Sequence, residues 1–345
     1  MNHTSNAQLT RVVLPGQVDV DGFVVERGPV PSPGAGQVLV ELEASGVSFA
    51  EQQMRRGRYY DQPPFPFVPG YDLVGTVLAL GEGAEPSLLG QRVAALVKVG
   101  GWASHVVLDA DKLIPVPDGI SAVDAETVVI NGITAWQLLH RSARVHAGQT
   151  ILVHGANGGV GSTLVQLARV AGVKVIGTAS VRHHESLAEQ GVIPIDYRTE
   201  DVPARVRELA PDGVDAVFDH IGGRSVIDSW KLLGRGGSLV AYGSASTKDY
   251  TGSKQWPVLK LVLRLALWNA WPNGRRASFY NVWAGVRNTG AFYGRLRDDL
   301  AEVFALMSSG EVTAKTAAVL PFERITEAMR LAESGTVAGK IVLTP

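Results

Sequence analysis

The sequence contains no cysteine among its 345 residues. That absence excludes disulfide bonds, thiolate ligands for zinc and a thiol nucleophile. It agrees with a reducing compartment, so we expect a cytoplasmic protein. Charge of one sign is also missing, because 33 Asp and Glu residues oppose 32 Lys and Arg residues, for a formal net charge of -1. No basic stretch of the kind that binds nucleic acid stands out, so no nucleic-acid partner is predicted.

Long apolar runs are scarce as well. The polar N-terminus has no apolar core of the kind found in secretory signals, so we expect no secretory signal. The longest apolar stretch, residues 258–271, is interrupted by Lys260 and Arg264 and is shorter than the roughly 20 residues that span a bilayer. It fits a helix packed over a sheet edge or in a homodimer interface, a lid over an apolar substrate, or an interfacial membrane helix. We favour the packed helix and do not expect a membrane partner, because the polar face carries few basic residues.

The first third of the chain is rich in short β-strand patterns. Apolar residues alternate or cluster in brief segments separated by glycine and proline, at residues 37–44, 72–80, 91–97 and 103–108. Short strands at this spacing predict a compact, barrel-like β domain.

A different pattern begins near residue 127, where apolar strands alternate with helical segments. The predicted strands are 151–154, 173–178, 216–219 and 237–242, the last of which closes the series, and the predicted helices are 162–171, 185–190 and 224–233. Such alternation predicts an α/β protein with a doubly wound parallel sheet covered by helices on both faces. After residue 293 we predict a helix at 300–308, a strand, a helix at 325–333 and a last strand at 340–343.

The glycine-rich sequence HGANGGVG, residues 154–161, follows one of these strands and opens a helix. Glycines there let backbone N–H groups at a helix N-terminus approach a pyrophosphate closely. Ala156, Gly158 and Gly161 occupy the three places of the G-x-G-x-x-G pattern, which is typical of a Rossmann-type dinucleotide site in this context. The residues predicted at the pyrophosphate are Ala156, Asn157, Gly158, Gly159 and Val160. A tight glycine turn that binds nothing is the alternative.

The end of the next strand indicates which dinucleotide is bound. NAD-binding sheets commonly carry an acidic residue there for the ribose 2′-OH, but residues 176–180 contain none. Ser180, Arg182 and His183 suit a 2′-phosphate instead, because guanidinium groups form charge-assisted bonds to phosphate. We therefore predict NADPH, with an ordinary solvated loop as the alternative. Gly243 and Ser244 follow the strand at 237–242, at the edge of the sheet where ligands bind.

Several motifs, taken in order, resemble one known family. They are FVPGYD at 67–72, GQRV at 90–93, GWA at 101–103, NGIT at 131–134, the stretch 145–161, GRGG at 234–237 and AGKIVL at 338–343. Over nearly the whole chain they resemble the medium-chain dehydrogenase/reductase superfamily, and specifically its zinc-free quinone oxidoreductase branch. The resemblance implies a GroES-like catalytic domain of residues 1–127 and 293–345 around a Rossmann domain of residues 128–292.

The resemblance also bears on metal binding. Alcohol dehydrogenases of this superfamily hold a catalytic zinc with two Cys and a His-Glu pair, and the matching places here are Ser48, Tyr71, Asp72 and Asn131. None offers the thiolate or imidazole that zinc prefers, so we predict no metal. Without a Lewis acid, alcohol oxidation is disfavoured. The resemblance implies hydride transfer to an acceptor that is already electrophilic, a quinone or an α,β-unsaturated carbonyl.

The same resemblance assigns further residues to the site. Ser48 and Thr134 are expected to face the nicotinamide, Tyr197 to lie against the adenosine, and Tyr59 to donate a hydrogen bond to the substrate carbonyl. An amphipathic surface tyrosine is the alternative for Tyr59. Two other functions remain open. One is a dedicated biosynthetic enone or enoyl reductase, and the other is a nucleotide-binding, membrane-associated or structural protein with little catalysis. A homodimer is expected.

Overall fold

The computed structural model describes residues 8–243, 245 and 256–345. The chain divides into two compact units. The first is Met1–Ile133 with Gly285–Pro345, and the second is Thr134–Ala284. The sequence places these divisions at 127/128 and 292/293.

The strands are β1 (Gln8–Val13), β2 (Val24–Pro29), β3 (Gln37–Val47), β4 (Asp72–Leu80), β5 (Arg92–Leu96), β6 (His105–Asp109), β7 (Ile114–Pro115), β8 (Thr150–His154), β9 (Lys174–Ala179), β10 (Val192–Asp196), β11 (Val214–Asp219), β12 (Leu233–Ala241), β13 (Arg276–Phe279), β14 (Thr316–Pro321) and β15 (Lys340–Thr344). The α-helices are α1 (Phe49–Arg55), α2 (Ala122–Trp136), α3 (Gly159–Val170), α4 (His184–Ala188), α5 (Val202–Leu209), α6 (Arg224–Leu232), α7 (Trp256–Ala270), α8 (Thr289–Ser308) and α9 (Ile325–Glu333). A π-helical segment, Gln137–Ala143, follows α2 directly.

The second unit is built on a six-stranded sheet in the order β10-β9-β8-β11-β12-β13. Every neighbouring pair in it is parallel. In chain order this is the 3-2-1-4-5-6 arrangement of the Rossmann fold, in which ligands bind at the carboxyl ends of the strands beside the point where the order reverses. Here that point lies between β8 and β11.

The strand β13 corrects the prediction that the series closes at residue 242. It pairs with β12 as a sixth parallel strand. Its sequence, Arg-Ala-Ser-Phe, buries only Ala277, so it lacks the apolar run by which the other strands were found.

Helix α7 packs beside this edge strand. The side-chain amide of Asn269 donates to the carbonyl oxygen of Ala277 at 2.7 Å and accepts from the backbone N–H of Ala277 at 2.8 Å. On the same helix, Trp268 stacks on Trp230 of α6 with ring centroids 4.8 Å apart. One side of α7 is therefore fixed to the sheet edge.

The first unit contains a seven-stranded sheet in the order β14-β15-β3-β4-β5-β7, with β6 also paired to β3. The strands β1 and β2 form a separate antiparallel pair. Its core combines residues from both segments of the unit, for example Val38 and Trp102 with Phe322 and Ile341. The last strand, β15, lies inside this sheet between β14 and β3.

A buried ionic cluster anchors β15. Lys340 Nζ donates to the carboxylates of Asp72 and Glu126, the latter at 2.7 Å, and all three side chains are buried. Burial opposes the charged form of Lys340, but the two carboxylates prevail and raise its pKa. Burial raises the pKa of Glu126 well above its usual range. The cluster ties the three segments that carry these residues together.

Helix α8 begins at Thr289, well before the predicted start at residue 300. Its first turns contain Gly290 and Gly294, which weaken a helical pattern. Helix α9 and strand β4 have the predicted limits. Within the described residues, none of the helices combines the length and the apolar character needed to cross a membrane.

Candidate functional site

The turn between β8 and α3 has the form that the glycine pattern predicts. The backbone of Gly155 has a φ of 65°, a conformation that favours glycine. Gly158 is the N-cap of α3 and makes no side-chain cap hydrogen bond. Asn157, Gly158, Gly159 and Val160 are half-buried. The first N–H groups of a helix have no partner within the helix and attract anions, so this end of α3 fits a pyrophosphate.

The turn is pressed tightly against the helix and the neighbouring strand. A Cβ on Gly161 would lie 2.1 Å from the carbonyl oxygen of Gly155, and a Cβ on Gly177 would lie 2.8 Å from the Cβ of Ala156. Ala156 itself is fully buried. Its side chain therefore packs the turn onto β9, and its neighbours present the backbone to a ligand.

The residues proposed for the 2′-phosphate lie at the end of β9. Ser180 is buried and caps a short 3₁₀ turn that contains Arg182 and His183. Arg182 is exposed, and its side chain forms no hydrogen bond or ion pair with any residue that the structure describes. Burial, followed by the charge of Arg182, lowers the pKa of His183, and its buried Nε2 has no described hydrogen-bond partner.

The other cofactor residues predicted in this unit lie in three places. Tyr197 follows β10 and is 52% exposed, with the guanidinium of Arg198 5.7 Å from its ring centroid. Gly243 lies beyond β12, where a Cβ would meet the carbonyl oxygen of His220 at 2.6 Å. Thr134 is buried in α2. Ser244 lies outside the described residues. The residues 156–160, 180–183, 197 and 243 thus follow the carboxyl ends of four strands of one sheet.

Sequence reasoning missed a buried polar network at the same edge. His154 Nε2 lies 3.1 Å from Ser229 Oγ, which donates to the Asp219 carboxylate at 2.9 Å. That carboxylate also accepts the backbone N–H of Ile221 at 2.8 Å. His220 Nδ1 is 3.1 Å from the carbonyl oxygen of His154. Burial lowers the pKa of both histidines despite the charge of Asp219.

This network joins the ends of β8 and β11, the two strands that flank the point where the strand order reverses. The sequence analysis assigned neither His154 nor His220 to a site. The sequence feature that could have revealed the network is the position of its residues, since His154 ends one predicted strand and Asp219, which His220 follows, ends another.

In the first unit, Ser48 is the N-cap of α1 and forms a capping box with Glu51. Its hydroxyl accepts the backbone N–H of Ala50 at 3.1 Å and donates to the Glu51 carboxylate. Glu51 is 1% exposed and one of its oxygens has no described partner. Burial raises the pKa of this carboxyl group. Glu51 is a further polar residue that the sequence analysis missed, although the S-x-x-E pattern of a capping box is visible there.

Tyr59 lies in a group of three tyrosines. Its hydroxyl is 3.0 Å from that of Tyr71, and its ring centroid is 4.7 Å from that of Tyr60. Burial and the neighbouring tyrosines raise the pKa of Tyr59. The hydroxyl therefore stays protonated near neutral pH and is available as a hydrogen-bond donor.

The places that match the zinc ligands of alcohol dehydrogenases have other partners here. Tyr71 meets Tyr59, Asp72 bonds Lys340, and the buried Asn131 donates to the carbonyl oxygen of Thr127 at 3.1 Å. Within residues 8–243, 245 and 256–345, no three His, Asp or Glu side chains group in a way that could hold a metal ion.

Comparisons with known proteins agree with this geometry. A family described as zinc-binding dehydrogenase matches residues 188–343, and the alcohol dehydrogenase GroES-like domain matches residues 34–118. The human synaptic vesicle membrane protein VAT-1 homolog is 33% identical over 346 residues, which cover 97% of this chain and 86% of the human protein.

Two solved mycobacterial structures are similar over 98% of this chain and 100% of their own. Rv1454c complexed with NADPH has a TM-score of 0.82 at 26% identity. A quinone oxidoreductase has a TM-score of 0.79 at 26% identity. With the substituted ligand places and the Rossmann strand order, these matches identify the chain as an oxidoreductase of the medium-chain dehydrogenase/reductase superfamily, in its zinc-free quinone oxidoreductase-like branch.

Proposed function

We propose that the protein is a metal-independent reductase that uses NADPH to reduce a quinone or an α,β-unsaturated carbonyl compound. The observation that carries this proposal lies in the second unit, at the carboxyl ends of the neighbouring strands β8 and β9. An α3 N-terminus without a side-chain cap lies at the end of β8, and an exposed Arg182 lies at the end of the adjacent β9. The similarity to a mycobacterial structure complexed with NADPH supports the choice of cofactor.

In this proposal the second unit binds the cofactor. Backbone N–H groups of residues 157–160 bind the pyrophosphate, with Ala156 holding the turn in place. Ser180, Arg182 and His183 bind the 2′-phosphate, Tyr197 contacts the adenosine, and Gly243 and Ser244 lie along the dinucleotide. Thr134, and Ser48 of the first unit, contact the nicotinamide.

The chemistry follows from these roles. Bound NADPH supplies the hydride. Negative charge then develops on the oxygen of the acceptor, and a preorganised hydroxyl donor stabilises it. Tyr59 suits that task because its phenolic hydroxyl carries a proton at neutral pH and can donate a hydrogen bond. No side chain at the zinc-matching places can lower the pKa of an alcohol as a metal does, so an activated carbonyl or quinone is the proposed acceptor.

Turnover assays test the proposal directly. Loss of NADPH absorbance is followed with panels of quinones, enones and enoyl thioesters, and NADP⁺ reduction is followed with primary alcohols. We expect turnover with members of the first panels and none with the alcohols. Alcohol oxidation without any quinone or enone reduction would overturn the assignment. Tight NADPH binding without turnover would favour the nucleotide-binding alternative.

Replacement of Arg182 by alanine tests the cofactor assignment. A hydrogen-bonded contact to a charged phosphate contributes about 1–3 kcal/mol, so Arg182→Ala should weaken NADPH binding by about tenfold or more. NADH binding should hardly change. Arg205→Ala, which removes an exposed arginine that pairs with Glu208 on the same unit, is the matched control. Equal losses for NADPH and NADH would place Arg182 away from the 2′-phosphate.

A further inference from the structure

Helix α7 has an apolar face on its outer side as well as on its packed side. Leu265 is buried against the sheet, whereas Trp256, Leu259, Leu263 and Leu267 are exposed. These four residues follow one another at intervals of three and four, so they form one stripe along the helix. Leu267 is 72% exposed, as is Trp271 just beyond the helix. A helix on the surface of a soluble domain normally turns a polar face outward. We therefore expect another apolar surface to cover this face.

The sequence on both sides of the stripe is basic and free of acidic residues. Between Asp249 and Asp298 the sequence contains no acidic residue and eight basic ones, Lys254, Lys260, Arg264, Arg275, Arg276, Arg287, Arg295 and Arg297. Lys260 and Arg264 are one turn apart on α7, beside the apolar stripe. Neither forms an ion pair with a residue that the structure describes. Arg275 follows the helix and lies over Trp230, with its guanidinium 5.9 Å from the ring centroid.

This charge pattern decides between two occupants of the face. A second copy of the chain, docked through the same stripe, would bring Lys260 and Arg264 near their own symmetry mates, and such like-charge contacts are unfavourable. A lipid surface with anionic headgroups has the opposite charge. It also has an apolar layer that accepts leucine and tryptophan, while lysine and arginine extend toward the headgroups.

We infer that the outer face of α7 docks on anionic lipid surfaces, with Leu259, Leu263 and Leu267 inserted below the headgroups. The sequence alone favoured a helix without a membrane role, because it shows few basic residues on α7 itself. The exposure of the stripe and the acid-free region around it argue for the lipid surface. The docking is independent of turnover, because the face lies on the outer side of α7 and not on the pyrophosphate turn.

Co-sedimentation with vesicles tests this inference on the full chain. Vesicles of phosphatidylcholine alone are compared with vesicles that also contain phosphatidylserine, at physiological ionic strength. We expect binding only to the second kind. The double variant Leu263→Ser, Leu267→Ser should lose it. Each basic side chain near an anionic surface contributes about fivefold, so Lys260→Gln with Arg264→Gln should weaken binding roughly thirtyfold.

Matched controls keep the outcome interpretable. Leu89→Ser removes another exposed leucine, 56% exposed, from a different surface, and it should bind vesicles like the parent. All variants should keep their NADPH affinity and thermal midpoint, since the changed side chains are exposed or, for Arg264, half-buried. Vesicle binding that is absent, unaffected by the leucine substitutions or equal on both lipid compositions would overturn the inference. A leucine variant that dissociates an oligomer in sedimentation velocity, without vesicle binding by the parent, would assign the face to a second copy.

Discussion

The turn between β8 and α3 requires a glycine at residue 161, because there is no space for a side chain. A Cβ there would meet the backbone oxygen of Gly155 at 2.1 Å and Ala156 Cα at 3.0 Å, and backbone atoms cannot rotate out of the way. We expect Gly161→Ala to lower the free energy of unfolding by about 1–3 kcal/mol, the usual cost of overpacking. It should also weaken NADPH binding, because the turn must shift. Denaturant unfolding and fluorescence titration measure the two effects.

Gly294 provides the opposite case and serves as the control. It lies within α8 and a Cβ there would have open space around it. Alanine is favoured over glycine inside a helix by roughly 1 kcal/mol, so Gly294→Ala should stabilise the protein and leave NADPH binding unchanged. A similar destabilisation by both substitutions would mean that the contact at Gly161 is not the cause.

The hydroxyl of Tyr59 can be removed without changing the ring. Tyr59→Phe deletes the donor that we propose for the developing oxyanion and its contact with Tyr71. Loss of one such donor should lower kcat on the order of a hundredfold. NADPH affinity should stay the same, which is the pattern for an interaction made mainly in the transition state. Steady-state kinetics with Tyr293→Phe as the control distinguishes this from a general effect, and an unchanged kcat would limit Tyr59 to lining the site.

Among the secondary-structure elements, α7 and β13 are joined by hydrogen bonds from one side chain. Asn269 pairs with both polar groups of Ala277. Asn269→Leu leaves a backbone donor and acceptor without these partners, so the free energy of unfolding should fall by about 1–3 kcal/mol. Urea denaturation measures this change. Ala270→Leu, an exposed substitution on the same helix, should have little effect, and equal losses would point to the added leucine rather than to the amide.

The polar network between β8 and β11 predicts a response to acid. Burial lowers the pKa of His154 and of His220 in the folded protein, whereas unfolded histidine titrates near 6.5. As the pH falls below about 6.5, the unfolded chain takes up protons that the folded chain does not. Stability should therefore decrease, by at most about 1.4 kcal/mol per pH unit for each histidine.

Urea unfolding at a series of pH values checks this response. His220→Asn should reduce the slope between about pH 6.5 and the lower folded pKa, because the variant removes one of the titrating groups. A slope that steepens, or stability that rises on acidification in this range, would contradict the buried neutral state of these side chains.

At the scale of the whole molecule, the sequence predicted most where a pattern is local. The alternation of strands and helices yielded the parallel sheet, and the glycine turn between β8 and α3 followed from its own eight residues. The strand β13 was not predicted because its identity comes from pairing with β12 and from the amide of Asn269, which its four residues do not reveal. The first turns of α8 were missed because glycines mask its periodicity.

The candidate site was predicted in the same uneven way. Residues 156–160, and Ser180, Arg182 and His183, could be proposed because each set lies in one short stretch of sequence that directly follows a predicted strand. The network of His154, Asp219 and Ser229 was not found, because it joins residues from three separate elements. The outer face of α7 shows the same limit, since a sequence states that a helix is apolar but not which of its sides the fold leaves exposed.

The interleaving of β15 with β3 has a consequence for biosynthesis. The core of the first unit requires Phe322 and Ile341 beside Val38, and its sheet places β15 between β3 and β14. A ribosome therefore exposes most of that unit's strands long before their partners are translated. The second unit, Thr134–Ala284, is continuous and can complete its sheet as it emerges. Domains usually mature in the order of their synthesis, but here the part that is translated first has to wait for the part that is translated last.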